Sequence, residues 1–178
     1  MLTTDQKGAI AETAITHAAV KLGVFVLKPL SEGGRYDLIF DVDGALLRVQ
    51  CKWAARNGSV IVIHCQSARR TREGFSRRPY TRDEVDALAA YCLDLDRCYL
   101  LPPELWAGRS AVQLRVPPTL NNQRLRIHWA EQYQFEARLG GKRGAVAQLG
   151  ERLLGMQKVT GSNPVGSICT SRPSGLPP

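Results

Sequence analysis

Three polar side chains come together in a predicted β-hairpin, and their chemical types are suited to a reactive site. Asp43 and Gly44 form a strong two-residue turn signal between two segments of alternating polar and apolar residues. With this turn, Asp37 lies opposite Gln50, and Lys52 follows on the same face. Residues directly opposite each other are about 4.5–5.5 Å apart at Cβ. A carboxylate, an amide oxygen and an ammonium group therefore share one patch, where oxygens can bind a hard cation and the ammonium can offset negative charge.

Two predicted helices flank this hairpin in the sequence. Residues 5–22 have apolar positions at helical spacing, and Thr3 or Thr4 can cap their N-terminus. Residues 81–93 are predicted to form a second helix, because the threonine at their start and Glu84 match a capping box.

Short apolar or alternating segments indicate strands around these helices. Residues 24–27 are predicted to be a buried strand, and residues 66–80 an arginine-rich loop. The order begins α-β-β-β-α-β, which favours the α/β class with a central mixed sheet flanked by helices. The other predicted strands cover residues 36–42, 45–53, 59–65, 97–101 and 111–116.

Composition limits the class of protein. The chain has 178 residues with 24 Lys and Arg against 16 Asp and Glu, a net charge of +8, which favours an acidic partner such as nucleic acid. No run approaches the roughly 18 apolar residues of a membrane span, and no secretory signal is visible. The five cysteines form no C-x-x-C pair, so we expect reduced thiols and a cytoplasmic protein.

Basic residues cluster between the predicted hairpin and the second helix, with aromatic residues between them. Such a cluster is suited to gripping phosphates, although a solvated basic loop would have the same composition. The predicted DNA-binding residues are Arg69, Arg70, Arg72, Arg77, Arg78, Arg82 and Tyr80.

The composition changes near Gly140. Residues 139–178 contain five basic residues, one acidic residue and no aromatic residue, so they offer little material for a core. Residues 161–164 can be encoded by the T-loop of a transfer RNA gene, and residues 147–152 by its D-arm. We therefore expect a folded domain over residues 1–138 and a disordered basic tail that resembles a translated transfer RNA gene. The alternative is a DNA-binding tail.

Over about residues 7–135 the sequence resembles the PD-(D/E)XK nuclease superfamily, and more narrowly its group I intron-encoded homing endonucleases with a Gln-x-Lys motif. Two positions depart from the superfamily pattern: Tyr36 replaces a proline and Gln50 replaces the second acid. The resemblance is carried by Gly8-Ala9-Ile10-Ala11-Glu12, Tyr36-Asp37-Leu38, Val49-Gln50-Cys51-Lys52 and Pro79-Tyr80-Thr81.

This resemblance implies a restriction-endonuclease-like fold and magnesium-dependent hydrolysis of double-stranded DNA. Its implied catalytic residues are Glu12, Asp37, Gln50 and Lys52, with Mg²⁺ held by Asp37, Gln50 and Glu12. Lys52 would orient or deprotonate the attacking water and offset charge on phosphorus. A double-strand cut needs two active sites, so a homodimer or homotetramer is expected.

Alternatives remain for both the residues and the function. Lys52 and Asp37 could be ordinary surface residues, and Glu12 a solvated helix residue. A Holliday-junction-resolvase-like nuclease shares the arrangement of helix Glu, Asp and Lys. A DNA-binding module with a decayed site is the alternative outside the enzymes, because Gln50 supplies a neutral ligand where the superfamily has an acid.

Overall fold

The structure is a computed structural model that describes residues 1–31, 33–72, 74–117 and 127–140. The tail is predicted over residues 139–178, and the part of it beyond Gly140 lies outside the described residues. The helices are α1 (Thr4–Lys21), α2 (Pro103–Trp106) and α3 (Phe135–Leu139). The strands are β1 (Phe25–Leu27), β2 (Leu38–Val42), β3 (Ala45–Asn57), β4 (Val60–His64), β5 (Gln66–Thr71), β6 (Gly74–Pro79), β7 (Ala87–Cys92), β8 (Arg97–Leu101) and β9 (Ala111–Arg115).

Helix α1 confirms the first predicted helix. The Thr3 hydroxyl accepts the Gln6 amide at 3.2 Å, and the Gln6 side chain accepts the Thr3 amide at 2.9 Å. This reciprocal capping box satisfies amide groups that the helix start would otherwise leave unpaired. Ala11, Ile15 and Ala19 lie one helical turn apart and are buried, so α1 packs against the sheet along one stripe.

The seven-stranded sheet is mixed, and helices flank it, which confirms the predicted fold class. Its strands follow the order β1-β2-β3-β4-β9, while β7 runs parallel to β3 and β8 pairs antiparallel with β7. Apolar side chains form one core between the sheet and helices α1 and α3, and a second core that includes Trp106 of α2. No helix in the described part of the chain is both long and apolar enough to cross a membrane.

The predicted helix over residues 81–93 is wrong. The amides of Glu84 and Val85 donate to the Thr81 carbonyl at 3.2 and 3.1 Å, so the capping signal makes one turn that does not continue. The chain then enters β7, in which every residue is buried. A short apolar run fits a helix or a strand equally well by periodicity. Here the pairing with β3, which is distant in sequence, determines that it is a strand.

Two further predictions are corrected at the sheet edge and in the basic segment. Strand β1 lies at the edge of the sheet, so Phe25 and Leu27 are 78% and 48% exposed rather than buried. The predicted loop over residues 66–80 contains β5 and β6, which pair antiparallel from Gln66 and Pro79 to Thr71 and Gly74. We call this separate two-stranded element (residues 66–79) the arginine ribbon.

Candidate active site

The predicted β2–β3 hairpin has the expected register. Val42 pairs with Ala45 and Leu38 with Val49. Asp37 lies just before β2, where its amide donates to the Val49 carbonyl at 3.0 Å and its carboxylate accepts a hydrogen bond from the Gln50 side chain. The alternation buries Leu38, Phe40, Leu47 and Val49 on the core face.

The site lies where β3 changes partners. One edge of β3 pairs with β7 from Val49 to Ala54. Its other edge pairs with β2 as far as Val49 and with β4 from Ala54 onward. Within the described residues no strand pairs with residues 50–53 along this second edge. The gap leaves backbone groups of β3 available to side chains, which is where Asp37 binds.

Asp37 occupies this gap through its carboxylate. Its Oδ2 accepts the Cys51 backbone amide at 2.8 Å and also accepts a hydrogen bond from the Gln50 side chain. Burial raises the pKa of Asp37, and the Cys51 amide and the Lys52 ammonium only partly oppose this rise, while the nearby charge of Glu12 adds to it. Burial therefore disfavours the ionised carboxylate, and a bound cation would offset this cost.

Lys52 extends from the same strand into a largely buried position. Its Nζ donates to the Tyr80 hydroxyl at 2.7 Å and to the Gln66 carbonyl at 3.2 Å. Burial lowers the pKa of Lys52 to about 8, although the charge of Asp37 opposes this. A lysine with this pKa can exchange a proton near neutral pH more readily than an ordinary surface lysine.

Glu12 reaches the same site from α1. Its half-buried carboxylate forms an ion pair with Lys28, which is 68% exposed. Glu12, Asp37 and Gln50 all line one open cleft of about 370 Å³. The structure thus brings three of the four predicted catalytic residues to one cleft. Lys52 contacts Tyr80, another lining residue.

The donor set of the cleft suits a hard divalent cation. Two carboxylates and one amide carbonyl supply oxygen ligands, the type that Mg²⁺ prefers. Among the described residues, no group of three or more His, Cys, Asp and Glu side chains could hold a metal ion.

Arg35 was not among the predicted site residues, yet it connects the site hairpin to the arginine ribbon. Its guanidinium donates to Glu84 at 3.0 Å, to the Ser67 hydroxyl at 3.0 Å and to the Pro79 carbonyl at 2.7 Å. Its position two residues before Asp37 is the only signal in the sequence. The three partners lie more than 30 residues further along the chain, so the sequence alone does not reveal them.

Asp86 is a second residue that the sequence did not single out. It is 4% exposed, and its carboxylate accepts the Arg48 backbone amide at 2.8 Å and the Arg48 guanidinium at 2.9 and 2.8 Å. The Asp86 amide in turn donates to the Arg48 carbonyl at 2.9 Å. These bonds fix the start of β7 beside the site strand.

The predicted DNA-binding residues divide into exposed and buried groups. Arg72 and Arg77 are exposed on the arginine ribbon, Arg78 pairs with Glu84, and Arg82 lies 4.0 Å from Glu104. The side chains of Arg69 and Arg70 lie outside the described residues. Tyr80 is only 4% exposed and accepts a hydrogen bond from Lys52, so it lies beside the candidate site and not among the exposed arginines, and its part in DNA binding stays a prediction.

A mixed sheet that brings together Asp37, the Gln50-Cys51-Lys52 segment and the helix residue Glu12 is the arrangement that the resemblance to PD-(D/E)XK nucleases predicts. The family model described as PD-(D/E)XK endonuclease matches residues 2–136. The chain belongs to this family.

Comparison with solved structures gives a similar molecule, a bacterial homing endonuclease, I-Ssp6803I. The match has a TM-score of 0.62 and 28% sequence identity, and covers 89% of this chain and 100% of that chain. A comparison with curated proteins gives no match. The family and the predicted resemblance to homing endonucleases are therefore confirmed.

Proposed function

We propose that this protein is a magnesium-dependent endonuclease that cuts double-stranded DNA at a specific site, as a homing endonuclease does. The observation that carries the proposal is the convergence of Glu12, Asp37 and Gln50 on one cleft, with Lys52 hydrogen-bonded to the lining residue Tyr80. Family membership supports phosphodiester hydrolysis, and the similarity to a homing endonuclease supports DNA and a defined site.

The divalent cation would be held by Asp37, Gln50 and Glu12. When bound, it would polarise the phosphate and make a bound water more acidic. Glu12 must exchange its ion pair with Lys28 to become a ligand, and the Gln50 amide, whose NH₂ group donates to Asp37, must turn its oxygen toward the cation. Gln50 contributes a neutral oxygen, so most of the charge that attracts the cation comes from the two carboxylates.

Lys52 would act on the attacking water and on the phosphate. Its ammonium can orient the water and offset charge that develops on phosphorus, and its lowered pKa makes proton exchange accessible near neutral pH. The surrounding burial strengthens each of these interactions because solvent screens them less.

The arginine ribbon would hold the DNA. Arg72 and Arg77 are exposed and can contact phosphates, which position the duplex without reading its sequence. One chain carries one site, so a cut in both strands calls for a homodimer or homotetramer with two sites facing opposite strands.

Cleavage of a plasmid library that carries transfer RNA genes would test this function. The full chain is incubated with the library and Mg²⁺, alongside Asp37→Ala and Lys52→Ala. Asp43→Asn and Lys21→Ala are matched controls, because Asp43 is exposed at the hairpin turn and Lys21 lies in the last turn of α1. We expect cutting at one position by the wild type and both controls, and none by the two site variants.

Other outcomes would replace this proposal with an alternative. Preference for four-way junctions over any linear site would indicate a structure-specific nuclease of the Holliday-junction-resolvase type. Tight DNA binding without cleavage would indicate a module with a decayed site. Equal cleavage by all five proteins would show that the active site lies elsewhere or that a contaminant cuts.

A further inference from the structure

Tyr80 lies between the cleft residues Asp37 and Gln50 and the ammonium group of Lys52. Its ring lines the cleft that contains Asp37 and Gln50, and its hydroxyl accepts the Lys52 ammonium at 2.7 Å. The Tyr80 amide lies 3.5 Å from the Cys65 carbonyl, at the point where β4 ends. This backbone contact and the burial of the ring fix the hydroxyl relative to the sheet.

Arg35 holds the same ring from another direction. Its guanidinium carbon lies 4.5 Å from the centroid of the Tyr80 ring, a distance suited to a cation–π contact. The three hydrogen bonds of Arg35 to Glu84, Ser67 and Pro79 prevent the guanidinium from moving independently. The ring therefore packs against a cation that both strands of the arginine ribbon and the following turn keep in place.

A lysine needs such support if it is to act at one atom. Its four-carbon stem carries about 2 kcal/mol of rotamer entropy, and its ammonium is a point charge without a built-in direction. Two acceptors, the Tyr80 hydroxyl and the Gln66 carbonyl, define the position of the Lys52 ammonium. Gln66 contributes a backbone group that side-chain substitution does not remove, whereas the Tyr80 hydroxyl can be deleted alone.

We propose that Tyr80 is a positioning residue, held by Arg35, that fixes the ammonium of Lys52 for hydrolysis of the phosphodiester bond. This inference rests on the proposed function, because it assigns Lys52 a part in the reaction. It also explains why a tyrosine in a segment of exposed arginines is buried.

The test compares Tyr80→Phe with Tyr91→Phe in the full chain. Tyr91 is a matched control, because it is also buried and its hydroxyl donates to Asp96 at 2.8 Å, while it does not line the cleft. The rate is measured in a single turnover at saturating protein on a supercoiled plasmid with the cleaved site, and DNA affinity is measured separately. We expect Tyr80→Phe to slow cleavage by about 10- to 100-fold with unchanged affinity, and Tyr91→Phe to cleave like the wild type.

A second variant and a spectroscopic measurement provide independent tests of the positioning role. Arg35→Lys keeps the positive charge but cannot bond Glu84, Ser67 and Pro79 together, so the rate should fall while the salt dependence of binding stays constant. The side-chain NMR resonance of Lys52, assigned with Lys52→Arg, should be displaced by the ring in the wild type, because Nζ lies 4.5 Å from its centroid. In Tyr80→Phe this resonance should move toward those of exposed lysines.

The possible outcomes separate this inference from the function on which it rests. Normal cleavage by Tyr80→Phe with an unchanged Lys52 resonance would overturn the positioning role while leaving the endonuclease intact. Equal slowing by Tyr80→Phe and Tyr91→Phe would also overturn the positioning role, since the loss of any buried tyrosine hydroxyl would then be enough to slow cleavage. If Lys52→Ala cleaved normally, the proposed role of Lys52 in catalysis would be wrong, and Tyr80 would have no catalytic group to position.

Discussion

Two of the antiparallel hairpins in the molecule, the β2–β3 hairpin and the arginine ribbon, differ in how they are held. The β2–β3 hairpin is part of the seven-stranded sheet and buries one face against α1 and α3. The arginine ribbon is a separate two-stranded sheet whose described arginine side chains are exposed. Two-stranded elements are marginally stable alone, so the ribbon depends on contacts at its base. Among these contacts are the three hydrogen bonds of Arg35.

This difference suggests a division of tasks between the two hairpins. Groups that act on a reacting atom must be held within a fraction of an ångström, which a packed sheet achieves through many contacts. Groups that follow a nucleic acid backbone benefit from exposure and from side chains that can adjust. Arg35 joins the two regions, because it lies two residues before Asp37 and contacts both strands of the ribbon.

The largest effect is expected from Asp37→Asn, which changes only the site hairpin. The amide keeps the shape and can still accept the Cys51 amide, but loses the charge that would bind a cation. Cleavage should fall about 10³-fold or more. Because burial raises the pKa of Asp37, the folded protein disfavours the ionised carboxylate. The variant should therefore be more stable than the wild type at neutral pH, measured by urea unfolding in EDTA.

The pH dependence of the stability gained by Asp37→Asn tests whether the charge of the buried carboxylate is its cause. A raised folded pKa means that wild-type stability falls as pH rises from the ordinary value of an aspartate through the folded value. The difference between Asp37→Asn and the wild type should vanish at acidic pH, where both side chains are neutral. Asp43→Asn should leave activity unchanged, since Asn tolerates the positive φ of 53° at this turn. A variant less stable than the wild type at neutral pH would contradict the electrostatic account.

Local patterns in the sequence were sufficient to predict the site hairpin. The turn signal fixed its register, and alternation assigned Asp37 and Gln50 to one face and Leu38 and Val49 to the other. The convergence of Glu12 on the same cleft followed only from the family resemblance, because residues 12 and 37 are linked through tertiary packing. The assignment of catalytic roles to these residues remains a prediction.

Non-local pairing explains what the sequence did not predict. Strand β7 is strand rather than helix because it inserts beside β3, about 38 residues earlier in the chain, and the capping signal before it is satisfied by a single turn. Arg35 and Asp86 have partners that are 32–49 and 38 residues away, respectively. Local sequence patterns do not reveal contacts between residues so far apart, so these links could be found only in the structure.

An intermediate effect is expected from removing the exposed arginines Arg72 and Arg77 of the ribbon. The double alanine variant should bind DNA about tenfold more weakly, and its plot of log affinity against log salt should be less steep by about 2, one unit for each lost phosphate contact. Its cleavage rate at saturating protein should equal that of the wild type. Arg56 and Arg97, exposed on β3 and β8, provide the matched double control. A slower rate at saturation would show that the two hairpins do not divide their tasks.

The smallest effect concerns Glu84, which anchors the base of the ribbon. Its burial would raise its pKa, but the hydrogen bond from Arg35 and the charges of Arg35 and Arg78 outweigh this and hold the pKa of Glu84 below its ordinary value. A lowered folded pKa contributes stability above the unfolded value, and this contribution is lost as pH falls through the folded value. Glu84→Gln should therefore be slightly less stable than the wild type at neutral pH. The difference should close as the pH falls below the ordinary pKa of a glutamate and through the lower folded pKa, as followed by thermal unfolding.

Glu104→Gln separates this anchor from an ordinary surface ion pair. Glu104 lies 4.0 Å from Arg82 with both side chains about half exposed, so solvent screens this pair and its loss should change stability little at neutral pH. Added salt should weaken the Glu84 contribution only in part, because Arg35 also bonds Ser67 and Pro79 and is held in position by them. A Glu84→Gln deficit that persisted unchanged at acidic pH would mean that the two acceptor oxygens of Glu84, and not its charge, hold the ribbon against the site hairpin.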